Sequence, residues 1–118
     1  MFDADVWIEP KTNRTNIMQV FMTTPRPTSL MITAWDDGNL RTYFGGGPVL
    51  KPNANGVWWN LKTRHDTTKG MIFVYGDDKL LGTFPDRGGS TWYFKNGVYG
   101  SRGRSETRWR NVRYWVKE

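Results

Sequence analysis

The groups in this 118-residue chain best suited to chemistry are an amide, an ammonium and a phenol. Gln19 sits in Met18-Gln19-Val20-Phe21, while Lys95 and Tyr99 sit in Tyr93-Phe94-Lys95-Asn96-Gly97-Val98-Tyr99. An amide and an ammonium hold carboxylate or hydroxyl oxygens by hydrogen bonds, which are charge-assisted for the ammonium. A phenol moves a proton and also offers a flat ring. Arg41 adds a second cation, and Tyr43 and Trp35 add ring surface. The predicted ligand-binding set is therefore Gln19, Lys95, Tyr99, Arg41, Tyr43 and Trp35, and the predicted partner is a glycan, an acidic one above all. Seven Trp exceed the need of one small core. Trp7, Trp59 and Trp115 are read as core. Trp35, Trp58 and Trp92 lie on polar strand faces or at strand ends and are the better stacking surfaces for sugar rings.

The composition excludes other chemistries. With no Cys there is no disulfide framework, no thiol nucleophile and no Cys-based zinc site. With one His, a two-His site cannot form within the chain. No metal and no cofactor is predicted, and His65 reads as a polar residue at a strand end. The chain carries 17 basic and 11 acidic residues, a net charge of +6. Arg102, Arg104, Arg108, Arg110, Arg113 and Lys117 crowd the end of the sequence against Glu106 and Glu118. Such a run is either a solvated strand face or a site for an anion: an acidic sugar, a nucleic acid or a small polycarboxylate. Nucleic acid is disfavoured, because no ribonucleoprotein signature, helix-turn-helix or zinc finger is present. No apolar run approaches the roughly 18 residues of a membrane span, so no membrane partner is expected. Met1 to Trp7 lacks the basic and apolar segments of a signal peptide. With the absence of Cys, this sets a cytoplasmic default, a processed secreted protein being the alternative.

These groups must be positioned by strands. β-rich runs occur at 6–8, 17–23, 29–35, 40–44, 57–65, 71–75, 79–84, 92–99 and 108–116. Asp36-Asp37-Gly38-Asn39 and Gly76-Asp77-Asp78 read as hairpin turns. Val57, Trp59, Leu61 and Thr63 alternate with Trp58, Asn60, Lys62 and Arg64, the period of a half-buried strand. No window sustains a 3.6-residue period, so almost no helix is expected. One all-β domain spanning 1–118 follows, with a two-sheet sandwich, a jelly roll or a barrel as the physical solutions. Along 17–23, Gln19 shares a face with Ile17 and Phe21, opposite Met18, Val20 and Met22. Along 92–99, Tyr93, Lys95, Gly97 and Tyr99 oppose Phe94 and Val98. With Val20, Met22, Phe94 and Val98 inward, Gln19, Lys95 and Tyr99 line one open surface. Gly97 between them leaves room for a ligand to approach the backbone.

The run from Gly88 to Tyr99 resembles the Tyr-Phe-Lys-x-Gly-x-Tyr motif of alginate lyase family 7 (polysaccharide lyase families 7 and 20) and its relatives, among them plant citrate-binding proteins. Met18-Gln19-Val20-Phe21 is similar to that superfamily's Gln-Ile-His strand. Val57 to Asp66 is similar to the aromatic strand ending in His-Asp of the citrate-binding group, and Ser105 to Val112 to its closing strand. The resemblance runs from about Val6 to Trp115. It implies a concanavalin-like β-jelly roll, a sandwich of two antiparallel sheets with a ligand groove on the concave sheet, shortened at the N-terminus relative to the family.

The resemblance also implies a lyase chemistry. Family members use an Arg and a Gln to neutralise a uronate carboxylate, and a His and a Tyr for proton transfer. Gln19 matches the Gln and Tyr99 the Tyr. Phe21 stands at the His position, and the 18 residues before Gln19 hold no Arg-x-Glu-x-Arg stretch. Arg41 or Arg64 would have to replace the missing Arg. The expectation is accordingly a lectin-like module that binds without catalysis. A polysaccharide lyase with Tyr99 as acid and base, helped by Gln19, is the alternative, followed by polycarboxylate binding. An open sheet edge would support a homodimer.

Overall fold

A computed structural model describes residues 1–22, 28–42, 49–86, 92–99 and 105–114, without the side chains of residues 22, 28, 29, 92, 93, 99 and 114. Ten strands follow in order: β1 (Phe2–Ile8), β2 (Thr15–Met22), β3 (Thr28–Ala34), β4 (Leu40–Thr42), β5 (Val49–Lys51), β6 (Trp59–Asp66), β7 (Met71–Gly76), β8 (Lys79–Pro85), β9 (Trp92–Tyr99) and β10 (Thr107–Tyr114). They form two five-stranded sheets, β10-β1-β6-β7-β8 and β5-β4-β3-β2-β9. Every pairing is antiparallel. No helix occurs among the described residues. The Cα radius of gyration, 13.4 Å, is what a compact chain of this length should have, about 13.5 Å.

Alternation builds the core. Phe2, Ala4, Val6 and Ile8 of β1 are buried, and the residues between them face outward. Trp59, Leu61 and Thr63 of β6 and Ile72 and Val74 of β7 complete the first sheet's inner face. Met18, Val20, Leu30, Ile32, Ala34 and Leu40 supply the second sheet's. An aromatic contact ties the layers together: Phe2 of β1 lies 5.8 Å from Phe94 of β9 between ring centroids, and 5.9 Å from Trp109 of β10 in its own sheet.

The turns follow sequence chemistry, with one shift. Gly38 takes φ +86 in the first hairpin, as expected. In the second, Asp77 and Asp78 take positive φ (48 and 64) rather than Gly76, giving a two-residue turn between the paired Gly76 and Lys79. Both central residues with φ > 0 is the twist that two-residue hairpins favour. Asp77 accommodates it by accepting from the Asn60 amide at 2.9 Å.

Several expectations are corrected. β1 begins at Phe2, and β5 is an additional strand. Val57 lies before β6 and is exposed. Trp7 is not core: it faces outward, half-buried, with the Arg108 guanidinium 4.8 Å from its ring centroid. His65 does lie at a strand end, one residue before the end of β6, but it is also tied down: its Nε2 is hydrogen-bonded to Asp86 Oδ2 at 2.8 Å, with the two side chains only 5% and 8% exposed. Trp115 lies outside the described residues.

Candidate functional site

The site lies where β2 and β9 pair. Their register sets Gln19 opposite Lys95 and Asn16 opposite Tyr99. Between the pairs Met18↔Asn96 and Asn16↔Tyr99, β9 carries two residues, Gly97 and Val98, opposite the single Ile17. This is a β-bulge, a device that bends a strand and re-aims its side chains. On the other side of β2, Asn16 pairs with Thr33 and Met18 with Ile32, so there Ile17 is itself the extra residue, against β3. Both irregularities fall at one place, and an open cleft of about 130 Å³ lies there. It is lined by Asn16, Ile17, Met18, Gln19, Lys95, Asn96, Gly97 and Val98.

The bulge changes which residues share a face. Strict alternation puts Asn16 on the side of Met18. With Ile17 inserted, Ile17 and Met18 both turn into the core. Asn16 then lies on the side of Gln19, because its direct partner Thr33 and the direct partner of Gln19, Met31, are the residues of β3 that alternate with core Leu30, Ile32 and Ala34. Ile17 is thus not on the face of Gln19, as strict alternation predicts. Val98 is not inward either: it is 50% exposed. The backbone at Gly97 favours glycine independently of any ligand. Its φ is +137, and a Cβ there would meet no atom within 4 Å.

Gln19 is 6% exposed and Lys95 is exposed. The Lys95 Nζ sits 4.5 Å from the ring centroid of Phe21, the residue standing at the motif's His position. Asn16 is 2% exposed. Its Oδ1 accepts from Thr33 Oγ1 at 2.8 Å, while its buried Nδ2 has no hydrogen-bond partner among the described residues.

Arg41 pairs with Thr33 across β3 and β4, in the same cross-strand row as Asn16 and Tyr99. Its guanidinium is engaged by Asp37, at 2.9 and 3.3 Å to the two carboxylate oxygens. Hydrogen bonds from Arg41 are the main cause that holds the Asp37 carboxyl below its ordinary 3.8. The same guanidinium lies 5.2 Å from the Trp35 ring centroid, and that of Arg14 5.4 Å. Trp35 is therefore a half-buried platform for two cations rather than a bare ring.

Of the predicted set, the backbone register brings Gln19, Lys95 and Tyr99 together on two adjacent strands and places Arg41 two strands away. The side chain of Tyr99 and the whole of Tyr43 lie outside the described residues, as does the side chain of Trp92. Arg64 is on the other sheet, 4.2 Å from the Phe73 ring centroid, and so cannot replace a missing Arg in the cleft. Sequence reading passed over Asn16 and Thr33. The only local signal was an Asn next to a predicted strand start, and the bulge that redirects it depends on strands far away in the chain.

No protein-family model matches the chain. In three dimensions the structure matches the alginate lyase AlgAT5 from Polysaccharide Lyase family 7, with a TM-score of 0.71 at 20% identity, over 94% of this chain and 56% of that one. The fold is the jelly roll of a family 7 alginate lyase. The chain is also 29% identical to the citrate-binding protein of Hevea brasiliensis over 123 aligned residues, 99% of this chain and 50% of that protein. It thus spans about half the length of the relatives it matches. The resemblance read from four short motifs is borne out, and so is the all-β jelly-roll sandwich of two antiparallel sheets.

Proposed function

We propose that this chain binds an acidic carbohydrate, a uronate-containing glycan, in the cleft between β2 and β9. The observation that carries the reading is the pairing of Gln19 with Lys95 at that cleft, on a sheet whose five strands contain no Asp or Glu among the described residues. An ammonium beside an amide, with no carboxylate on the same strands to neutralise it, suits a ligand carboxylate held by charge-assisted hydrogen bonds. Tyr99, which pairs with Asn16, is a further member of the predicted binding set, with Arg41, Trp35 and Tyr43.

Titration calorimetry with oligouronates and with neutral oligosaccharides of equal length tests the proposal. The expected result is binding of the uronates alone, weakened about 30-fold by Lys95→Glu. Equal binding of both, or of neither, sinks it.

The shared fold with an alginate lyase favours β-elimination as a second reading. That reaction needs the uronate carboxylate neutralised, a base for the neighbouring C–H and an acid for the leaving oxygen. Gln19 and Lys95 suit the first task. Phe21 carries no exchangeable proton, so Tyr99 would perform both transfers. Ultraviolet absorbance of the unsaturated product, present in the native chain and absent in Tyr99→Phe, would establish catalysis.

A further inference from the structure

We infer that Asn16 is a ligand-contacting residue of this cleft, its Nδ2 donating to an oxygen of a bound carboxylate-bearing chain while Thr33 fixes the orientation of its amide. The inference deepens the proposed function and rests on it. Asn16 lines the cleft together with Gln19 and Lys95, and it is nearly as buried as the core itself. One end of its amide is satisfied. The Thr33 hydroxyl, itself fully buried, donates to Oδ1 at 2.8 Å. The other end is not: Nδ2 is buried without an acceptor among the described residues.

Buried polar groups are nearly always paired, because a lone donor forfeits its hydrogen bonds to water and gains nothing in return. Folding does not require a donor here. The strand ladder is carried by backbone pairing with Thr33 and Tyr99, which any side chain allows. An apolar residue at position 16 would carry no unpaired donor. A donor kept at a cost to stability, held in one orientation by a dedicated bond and placed in a cleft beside an amide and an ammonium, is explained by a ligand acceptor.

Spacing narrows the ligand. Asn16 and Gln19 are three residues apart on one strand, at most about 10 Å along the backbone. Oxygens on successive groups of one molecule reach both positions, which suits an oligouronate. A small polycarboxylate shares the carboxylate chemistry and serves as the second arm of the test.

The experiment uses the native chain, Asn16→Ala, Thr33→Val and the double variant Asn16→Leu/Thr33→Val. Each is titrated with an oligouronate and with citrate, with thermal melting and amide NMR spectra recorded in parallel. Expected are a shift of the Asn16 side-chain NH₂ resonance on addition of the oligouronate, a loss of about tenfold in affinity for Asn16→Ala, and a smaller loss for Thr33→Val. The double variant should lose affinity while melting at or above the temperature of Thr33→Val alone, which a purely structural Asn16 would not allow. Citrate binding with the same dependence on Asn16 supports the inference and assigns the carboxylate to a small acid. Native affinity in Asn16→Ala and in the double variant overturns the inference and leaves the proposed function standing. No binding of either probe by the native chain overturns both.

Discussion

The outward faces of the two sheets handle charge in opposite ways. On the first sheet, cations and carboxylates are interleaved and neutralise one another. Lys62 reaches Asp78 at 2.9 Å, Arg110 approaches Asp5 at 3.5 Å, and Arg64 lies 3.8 Å from Asp66. Asn60 and Asn111 close the network around Asp5 with donors at 3.3 and 2.9 Å. Its rings are also occupied, with the Arg110 guanidinium 4.1 Å from the centroid of exposed Trp58. The second sheet carries Arg41, Lys51 and Lys95 on its strands and no acid. Among the described residues only Arg41 of these finds a carboxylate, and that comes from a hairpin turn. A surface that answers its own charges has little left to offer a partner, whereas one with surplus donors invites an anion. Basic composition alone does not distinguish them. Of the described members of the basic run, Arg108 stands beside Glu106 and Arg110 beside Asp5.

Where the sheets are alike, on their inner faces, the largest effects should be equal. Leu61→Ala in the first sheet and Ile32→Ala in the second should each cost about 3 kcal/mol in chemical denaturation, since both side chains are fully buried. A near-neutral result on one side would show that the core is not shared. Outward, the sheets should part. Lys95→Glu should weaken oligouronate binding by about 30-fold, and Arg110→Glu by about twofold at most, read by calorimetry. Equal losses would dissolve the contrast.

Gly97→Ala should cost about 1–2 kcal/mol from backbone strain alone, because φ is +137 and no neighbour would clash. The smallest effect concerns pH. Asp37 is lowered chiefly by hydrogen bonds from Arg41, and Asp5 chiefly by one from Asn111. Carboxyls depressed on folding stabilise above their ordinary value of 3.8, and that gain is lost as pH falls through their lower folded values. Both are solvent-screened, so Asp37→Asn should cost only about 0.5 kcal/mol at neutral pH. That difference should vanish under strong acid, as denaturation curves on both sides of the transition would show.

Local periodicity was enough to read most strands, both hairpins and the inward set of β6, since each depends on neighbours one or two residues away. It also predicted that Gln19 and Lys95 fall on a common surface, and the register pairs them. It could not reveal β5, three residues long after a Gly-rich stretch. Nor could it place the bulge at Ile17, which exists only because β2 pairs with strands 15 residues downstream on one side and about 80 on the other. The extra Ile17 against β3 hid Asn16, and the extra residue of β9 against β2 turned Val98 outward. The burial of His65 was illegible for the same kind of reason, because its partner, Asp86, lies 21 residues away.

The pairing of β1 has a consequence for how the chain assembles. Its two neighbours are β6, which begins at Trp59, and β10, which begins at Thr107, so during synthesis this strand waits a long time for company. A solitary β-strand with an apolar side is prone to sticking to its like. Asp3 and Asp5, set between Phe2, Ala4 and Val6, put like charges on every copy and guard against such intermolecular stacking until Asn60 and Arg110 arrive to claim them.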